Sequence, residues 1–194
     1  AFAFGSLALQ VNQRFDDRRR RAKIHQQFHA HVNLWCRPMH TCIEHAKEAC
    51  RSGLASGDFL YAAYGASTES WPALVSCQDL GECVRSLEPN LALVVQLRNT
   101  AFADVLRMVM AWARALQGRT AAPLALSHTE GEGFDEAAYA QTYRDNPFFS
   151  MFHAIARLHI GYLLDDQPQA LAAVMAVRRS AHQLTGMMWS VLFD

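Results

Sequence analysis

Hydrophobic positions along this chain recur at intervals of three and four residues, the spacing of one face of an α-helix. The first such stretch begins at Phe4 and ends near Phe15. Alternation of the kind expected for strands is nearly absent, and one short β-branched run, at 93–95, lies inside a helical period. The pattern therefore predicts an all-α fold.

Capping residues predict where the next helices begin and end. Asp16 and Asp17 are of the type that caps a helix N-terminus, so a second helix is expected after them. Pro38 is expected to begin a third helix by fixing φ in its first turn, and Gly53 to end it. One face of the second helix would carry Ile24, Phe28, Val32 and Trp35, and the inner face of the third Ile43, Ala46, Ala49 and Cys50.

The middle of the chain predicts a fourth helix, a short fifth and then the longest one. Asp58 would cap the fourth helix, and the short helix, over 79–87, leads to Pro89. We expect the longest helix to run from Asn90 to about Leu116. Its apolar seam would contain Leu91, Val94, Val95, Phe102, Val105, Leu106, Val109, Trp112, Ala113 and Leu116.

The last third of the chain predicts one long loop followed by further helices. Residues 118–134 are rich in turn-forming glycine and proline and predict the loop. Asp135, Asn146-Pro147 and Gln167-Pro168 would each begin a helix. Gly186 would precede a final one.

Helices joined mostly by short turns allow two all-α architectures, a closed bundle or a stacked solenoid. The predicted helix pairs recur about every 35 to 45 residues, which matches the periods of helical-repeat proteins. We therefore favour antiparallel helix pairs stacked as an α-solenoid, a single segment over 1–194 with the loop 118–134 between two sub-blocks. Because the apolar pattern continues through 192–194 without a cap, we expect a fragment of a longer polypeptide.

Composition and charge narrow the classes of partner. The 194 residues are 51% hydrophobic and 19% charged, below the about 25% charged residues of typical soluble domains. This favours a surface partly buried against neighbouring domains or subunits. Lys plus Arg and Asp plus Glu both number 18, so the formal net charge is zero. That argues against a general binder of nucleic acid or anionic membranes, which needs a strong positive field.

The sequence also indicates a cellular compartment. No signal peptide is recognisable, and no apolar run reaches the about 18 residues of a membrane helix, so we expect no membrane insertion and a cytoplasmic location. The cysteines are odd in number and lack a CxxC pair, which is typical of free thiols in a reducing compartment. They are Cys36, Cys42, Cys50, Cys77 and Cys83.

Several short runs resemble one bacterial module. They are Trp35-Cys-Arg-Pro38, the Ala-x-x-x-Gly-Leu-x-x-Gly-Asp series over 49–58, Tyr61-Ala-Ala-Tyr64 and Gly131-Glu-Gly-Phe-Asp-Glu136. These runs are similar to the tetratricopeptide-like (TPR-like) helical region of very large signalling proteins. Members of that family join a serine/threonine-kinase-like domain, an AAA-type ATPase, this helical region, a GAF sensor domain and a C-terminal sensor histidine kinase. The resemblance implies a TPR-like solenoid that relays or senses signals in a two-component system.

The resemblance offers no catalytic residues to carry over, and the sequence contains no recognisable catalytic motif. A GxxxxGK[ST] loop, a GxGxxG turn after a strand, a GxSxG motif and a kinase catalytic loop are all missing from it. We therefore expect that this segment is not an enzyme and needs no cofactor, although the parent protein would be a protein or histidine kinase.

Arg98 is the first candidate for ligand recognition. It lies on the predicted apolar seam between Val95 and Phe102, where a buried guanidinium needs a carboxylate or an anion. One interpretation is a structural ion pair, with Glu69 as the candidate partner. The other is a ligand-binding site in a concave groove, to which Tyr61, Tyr64, Arg98 and Arg157 would contribute.

Two other patterns carry weaker chemical hypotheses. His25 and His29 have the spacing of a metal-ligand pair on one helix face, and a hairpin turn near Arg37 would let His45 or Cys50 approach them. However, a metal site needs three or four converging ligands, so solvated or core-edge histidines are the alternative. The charged run over 16–23 is either a solvated helix start, a docking patch or a nucleic-acid contact.

The leading hypothesis is a non-catalytic interaction and relay module that binds neighbouring domains of its own polypeptide or a second copy of itself. The alternative is a sensor that binds a small-molecule effector in its groove. We expect a core that includes Phe28, Trp35, Leu106 and Trp112. Aromatic residues near the ends would be poorly covered or paired with another copy: Phe2, Phe4, Trp189 and Phe193.

Overall fold

The computed structural model describes residues 1–122, 124–127 and 133–180. Throughout these ranges the regular elements are helices and no strand occurs, which confirms the all-α prediction. The helices are α1 (Phe2–Phe15), α2 (Arg18–His31), a 3₁₀ turn (Asn33–Trp35), α3 (Thr41–Ser56), α4 (Phe59–Thr68), α5 (Ser70–Ser76), α6 (Leu80–Gln96), α7 (Thr100–Leu116), α8 (Glu136–Thr142), α9 (Pro147–Leu163) and α10 (Gln167–Ser180).

Side-chain caps begin several of these helices. The Asp17 carboxylate accepts a hydrogen bond from the Arg20 N–H at 3.3 Å, and α2 starts there. Asp16 does not cap α2 as predicted; it ends α1 in the left-handed conformation, with φ 48°. The same kind of cap occurs at the starts of α4, α6, α8 and α9, from Asp58, Asp79, Asp135 and Asn146.

The second and third helices differ from the prediction at their junction. α2 ends at His31, and the 3₁₀ turn that follows buries Leu34 but leaves Trp35 47% exposed. The prediction that Trp35 is buried was therefore wrong, because a tighter turn rotates Trp35 away from the buried face of α2. Pro38 does not begin α3; its carbonyl accepts a hydrogen bond from Thr41, where α3 begins.

The predicted long helix is two helices. α6 runs through Pro89 and ends at Gln96, and α7 begins at Thr100. Between them Arg98 has φ 56°, the Arg98 N–H binds the Val95 carbonyl and the Asn99 N–H binds the Val94 carbonyl. This is a Schellman termination with Arg98 at the position that glycine usually occupies.

Two compact units make up the chain, Ala1–Leu106 and Arg107–Asp194. In the first, α2 packs against α3 and α3 against α4, and Phe28, Trp71 and Leu106 are buried. In the second, α9 packs against α10, and Trp112 is buried. The burial predicted for Phe28, Leu106 and Trp112 is confirmed, whereas the single segment divided at 118–134 stays a prediction.

Two further observations concern the extent of the helices. None of those in the described part of the chain has the combination of length and apolarity needed to cross a bilayer. The helix predicted after Gly186, with Trp189 and Phe193, lies outside the described residues, as does part of the run Gly131-Glu-Gly-Phe-Asp-Glu136.

Candidate functional site

One side of α1 rests on α2. The Phe2 ring lies 5.7 Å from the Phe28 ring, between centroids. A Cβ added at Gly5 would stand 2.8 Å from the Phe28 ring, so glycine allows the close approach of the two helices. Asn12 is buried on the same side and donates a hydrogen bond to the Asp17 carbonyl at 2.8 Å. This side of α1 is therefore its inner face.

The opposite side of α1 is also apolar but is exposed. Phe4 is 80% exposed and Phe15 73%, and between them Leu7 and Val11 are 51% and 45% exposed. These four residues are three, four and four positions apart, which places them on one helical face; we call them the α1 outer face. The apolar face of a helix is normally covered by a neighbouring element. The α1 outer face is therefore the strongest candidate for a contact surface in the first unit.

The structure brings Tyr61 and Tyr64 together. Their rings on α4 meet edge to face with centroids 5.5 Å apart. Tyr64 also packs on Phe102 at 4.7 Å, and the Lys23 ammonium lies 5.2 Å from the centre of the Tyr61 ring. Both tyrosines are half-buried. Each ring already packs against other side chains of the protein.

Arg98 is not on a buried seam. It is exposed at the end of α6 and makes no ion pair with any described residue. The Glu69 carboxylate, its expected partner, instead accepts a hydrogen bond from the Asn90 amide at 3.0 Å. Burial raises the pKa of Glu69 above its ordinary value. The expectation of a buried guanidinium was wrong because α6 ends at Gln96, and Arg98 lies in the turn before α7.

Arg157 lies in the second unit, within a polar cluster around Glu136. The His153 Nε2 lies 2.8 Å and the Arg157 Nε 3.5 Å from the same Glu136 oxygen. Arg157 also donates to the Leu124 carbonyl and to the Gln169 amide oxygen. Burial opposes ionisation of Glu136, but the His153 hydrogen bond and the Arg157 charge hold its pKa below the ordinary value. The Arg157 guanidinium thus binds protein groups on several sides.

A second cluster contains three histidines of α2 and α3. His25 Nδ1 lies 3.1 Å from His45 Nδ1. His29 is fully buried, and its Nε2 lies 3.1 Å from both the Gln26 amide oxygen and the Thr68 hydroxyl, while its Nδ1 has no hydrogen-bond partner. Burial, assisted by the neighbouring histidines, lowers the pKa of His25 to about 4 and that of His29 to about 3. The buried rings are therefore neutral at physiological pH.

The histidine cluster is a poor fit to a metal ion. His25 and His45 bring two nitrogens together, but His29, the expected partner of His25, is held by Gln26 and Thr68. Across residues 1–122, 124–127 and 133–180 no group of three or more histidine, cysteine or carboxylate side chains has the arrangement of a metal site. Structural zinc sites need four ligands and catalytic ones at least three.

The arginine run at the start of α2 is paired locally. Arg18 and Arg21 both bind Asp16, at 3.3 and 2.8 Å, and Arg20 binds Asp17 at 3.0 Å. These pairs are largely exposed and each contributes little to stability. Their arrangement favours the interpretation of the run as a solvated helix start.

Comparison with known proteins did not assign the chain to a family: family models, curated proteins and solved structures gave no match. The similarity to the TPR-like region of bacterial signalling proteins therefore stays a prediction.

Proposed function

We propose that this chain is a non-catalytic helical interaction module that associates with a second copy of itself through the α1 outer face. The observation that carries the proposal is the exposure of Phe4, Leu7, Val11 and Phe15 on a single side of one helix. Residues 2–13 contain no charged side chain that could be solvated on that side of the helix.

The size of the face supports a specific contact. A phenylalanine presents about 150–250 Å², so two nearly uncovered rings with Leu7 and Val11 between them form an apolar patch of roughly 400 Å². Patches of about 300–600 Å² are the largest on typical monomers and are often functional. Removing such a patch from water favours association, and only the excess over the lost translational and rotational freedom of the two copies appears as affinity.

A second copy fits this face better than a charged partner does. The four side chains of the α1 outer face carry no charge, so they bring no like charges together where two copies meet. Arg14, the charged residue of α1, borders the face near its C-terminal end. Steps of three and four residues let two helices pack side by side along their length. A two-fold contact presents the same patch on both sides. Two such patches bury less than the about 1,200 Å² at which stable specific interfaces begin, so we expect reversible association.

We further propose that consecutive helices form antiparallel pairs stacked as a TPR-like solenoid. The order of contacts between α2 and α3 supports the pairing. Asn33, just after α2, donates to Thr41 at the start of α3 at 2.8 Å, while His25, earlier in α2, approaches His45 further along α3. Within the bacterial signalling proteins that the sequence resembles, such a module would relay a change in association between an ATPase and a sensor kinase.

Sedimentation equilibrium of the full chain tests the association. The wild-type protein is expected to show a mass that rises with concentration, and Leu7→Glu to remain monomeric because a carboxylate would be buried in the contact. Gln10→Glu is the matched control, since it adds the same charge to an exposed position of α1 outside the outer face. Circular dichroism would show that both variants stay helical.

Two results would overturn the proposal. A wild-type chain that is monomeric at every concentration would show that the α1 outer face does not bind a second copy. Association of Leu7→Glu as strong as that of Gln10→Glu would place the contact elsewhere. Release of phosphate from ATP by the purified chain would contradict the non-catalytic part.

A further inference from the structure

A small cavity lies between the start of α2 and the C-terminal half of α3, two helices that pack against each other. Its volume is about 240 Å³. Arg18 and Arg21 of α2 line it, and Arg51 of α3 contributes a third guanidinium. The other lining residues are Glu48, Ser52, Ala55 and Ser56. Three cationic side chains from two helices therefore meet at one cavity, although the formal net charge of the chain is zero.

Two carboxylates contact these arginines. The Asp16 carboxylate binds the Arg18 Nε at 3.3 Å and a terminal nitrogen of Arg21 at 2.8 Å. The Glu48 carboxylate binds a terminal nitrogen of Arg51 at 2.5 Å. Two negative charges thus accompany three positive ones, which leaves an excess of one positive charge at the cavity. Because a guanidinium has five N–H donors, each arginine retains donors beyond these contacts.

We propose that this cavity is a binding site for a phosphate group, carried either by a small molecule or by a phosphorylated side chain. The planar guanidinium fork matches the spacing of phosphate oxygens and binds them in pairs. A phosphate monoester presents three acceptor oxygens and a charge of about −1.5 to −2 at neutral pH. It therefore gains more from three converging arginines than a singly charged carboxylate does.

The dimensions of the cavity favour a compact anion. Pockets for drug-sized ligands measure about 300–1,000 Å³, and this cavity is smaller. Arg21 is the least exposed of the three arginines, with 27% of its side chain exposed, and its Nε donates to the Asn12 amide oxygen at 3.3 Å. One guanidinium is therefore oriented before a ligand arrives, which lowers the entropic cost of binding.

Asp16 competes with the ligand for two of the arginines. Its side chain is 60% exposed, so a phosphate dianion that enters the cavity can displace it into water. Asp16 ends α1 with φ 48°, a left-handed conformation that asparagine also adopts readily. Asp16→Asn therefore removes the competing charge and keeps the turn. If the cavity binds phosphate, this substitution should tighten binding, which a purely structural ion pair would not explain.

NMR titration of the ¹⁵N-labelled full chain tests the proposal at neutral pH and constant ionic strength. The probes are inorganic phosphate and a phosphoserine blocked at both ends, and blocked serine is the negative control. We expect both phosphate probes to cause saturable shifts of the backbone amides at the start of α2 and the end of α3. Tighter binding of blocked phosphoserine assigns the site to a phosphorylated side chain. Equal or tighter binding of inorganic phosphate assigns it to a small phosphate compound.

Four substitutions with matched charge changes locate the site. Arg51→Gln should weaken phosphate binding about tenfold, because a charge-assisted contact is lost. Arg19→Gln removes the same charge from an exposed position of α2 that is not among the lining residues, and should change the affinity less than about twofold. Asp16→Asn should tighten binding about two- to fivefold. Asp17→Asn removes the same charge one position away, preserves the helix cap and should have a smaller effect.

Three results would overturn the proposal. Neither phosphate probe causing a saturable shift would show that the cavity binds no phosphate. Equal losses in Arg51→Gln and Arg19→Gln would mean that phosphate is attracted only by the general charge of this region. An unchanged affinity in Asp16→Asn would show that the arginines bound to Asp16 do not contact the ligand. The lining residues all belong to one copy of the chain, so these outcomes are independent of association through the α1 outer face.

Discussion

Gly65 of α4 lies so close to the backbone of α3 that a Cβ atom added at Gly65 would stand 2.5 Å from the Cys50 nitrogen and 2.7 Å from the Ala46 oxygen. The relationship is reciprocal, because a Cβ added at Gly53 of α3 would stand 2.7 Å from the Ala62 nitrogen of α4. The two helices therefore meet backbone to backbone, with no room for a side chain at either crossing point.

Gly65→Ala is expected to lower the free energy of unfolding by about 1–3 kcal/mol, because the added methyl group forces two helix backbones apart. Alanine has a higher helix propensity than glycine by about 1 kcal/mol. The expected loss of stability is therefore what remains after this gain in helix propensity. Urea unfolding followed by circular dichroism measures it. Gly57→Ala is the control: Gly57 has φ 75° but open space around it, so only the cost of about 1–2 kcal/mol for placing an L-residue in the left-handed region applies, without a steric clash. A Gly65→Ala protein as stable as wild type would contradict the close approach.

Stability is expected to fall as the pH is lowered from about 6.5 toward 3. Burial depresses the pKa of His29 in the folded protein to about 3, well below the about 6.5 of an unfolded chain. Between these values the unfolded state binds the extra proton, so the contribution is complete above the unfolded pKa and is lost on acidification. Each such histidine adds a slope of up to about 1.4 kcal/mol per pH unit.

Urea unfolding at several pH values measures this slope. His29→Gln should flatten it, although the variant will be less stable at neutral pH. His40→Gln removes an exposed histidine and is the matched control. A slope in His29→Gln equal to that of the control would show that His29 is not protonated on unfolding.

Two tryptophans are expected to respond differently to truncation. Trp112 is buried in the second unit and stacks edge to face on His159 at 5.0 Å, so Trp112→Ala should cost about 3–5 kcal/mol. Trp35 is about half exposed on its 3₁₀ turn, so Trp35→Ala should cost less than about 1.5 kcal/mol. Thermal and urea unfolding of both variants give the comparison. Equal losses would mean that Trp35 is covered in solution.

Arg98→Gly is expected to stabilise the chain relative to Arg98→Ala by about 1 kcal/mol. Arg98 has φ 56° between α6 and α7, a conformation that costs an L-residue about 1–2 kcal/mol and glycine almost nothing. Both variants remove the same exposed guanidinium, so the difference reports the backbone alone. Alanine equal to or better than glycine would argue against the left-handed turn.

Local sequence rules were sufficient for much of the helix pattern. A carboxylate or amide side chain can cap a helix that begins directly after it, because the cap depends only on residues about three apart. The starts at Asp58, Asp135 and Asn146 were predicted on that basis and occur as expected. The same rules wrongly predicted a helix boundary at Pro89, which lies inside α6. A proline inside a helix and a proline that begins one cannot be distinguished from the sequence alone.

The candidate sites were less accessible to prediction. His25 and His29 share a spacing on α2, but which ring nitrogens meet is decided by α3 and α4, which supply His45 and Thr68. The exposure predicted for Phe4 is confirmed, whereas Phe2 is half-buried against Phe28. The extension of the α1 outer face to Phe15 was not predicted, because Phe15 belongs to an apolar period that resembles any buried helix.

The sequence by itself determined that the described part of the chain is all-α and where most of its helices start, because helical periodicity and capping act over three or four residues. It also determined that a strong positive field is missing. Only the tertiary structure decided which apolar face is covered, that Arg98 ends a helix instead of lying within one, and that Gly65 meets the backbone near Cys50. These outcomes depend on packing between helices, and periodicity along the sequence does not specify which neighbour a face meets.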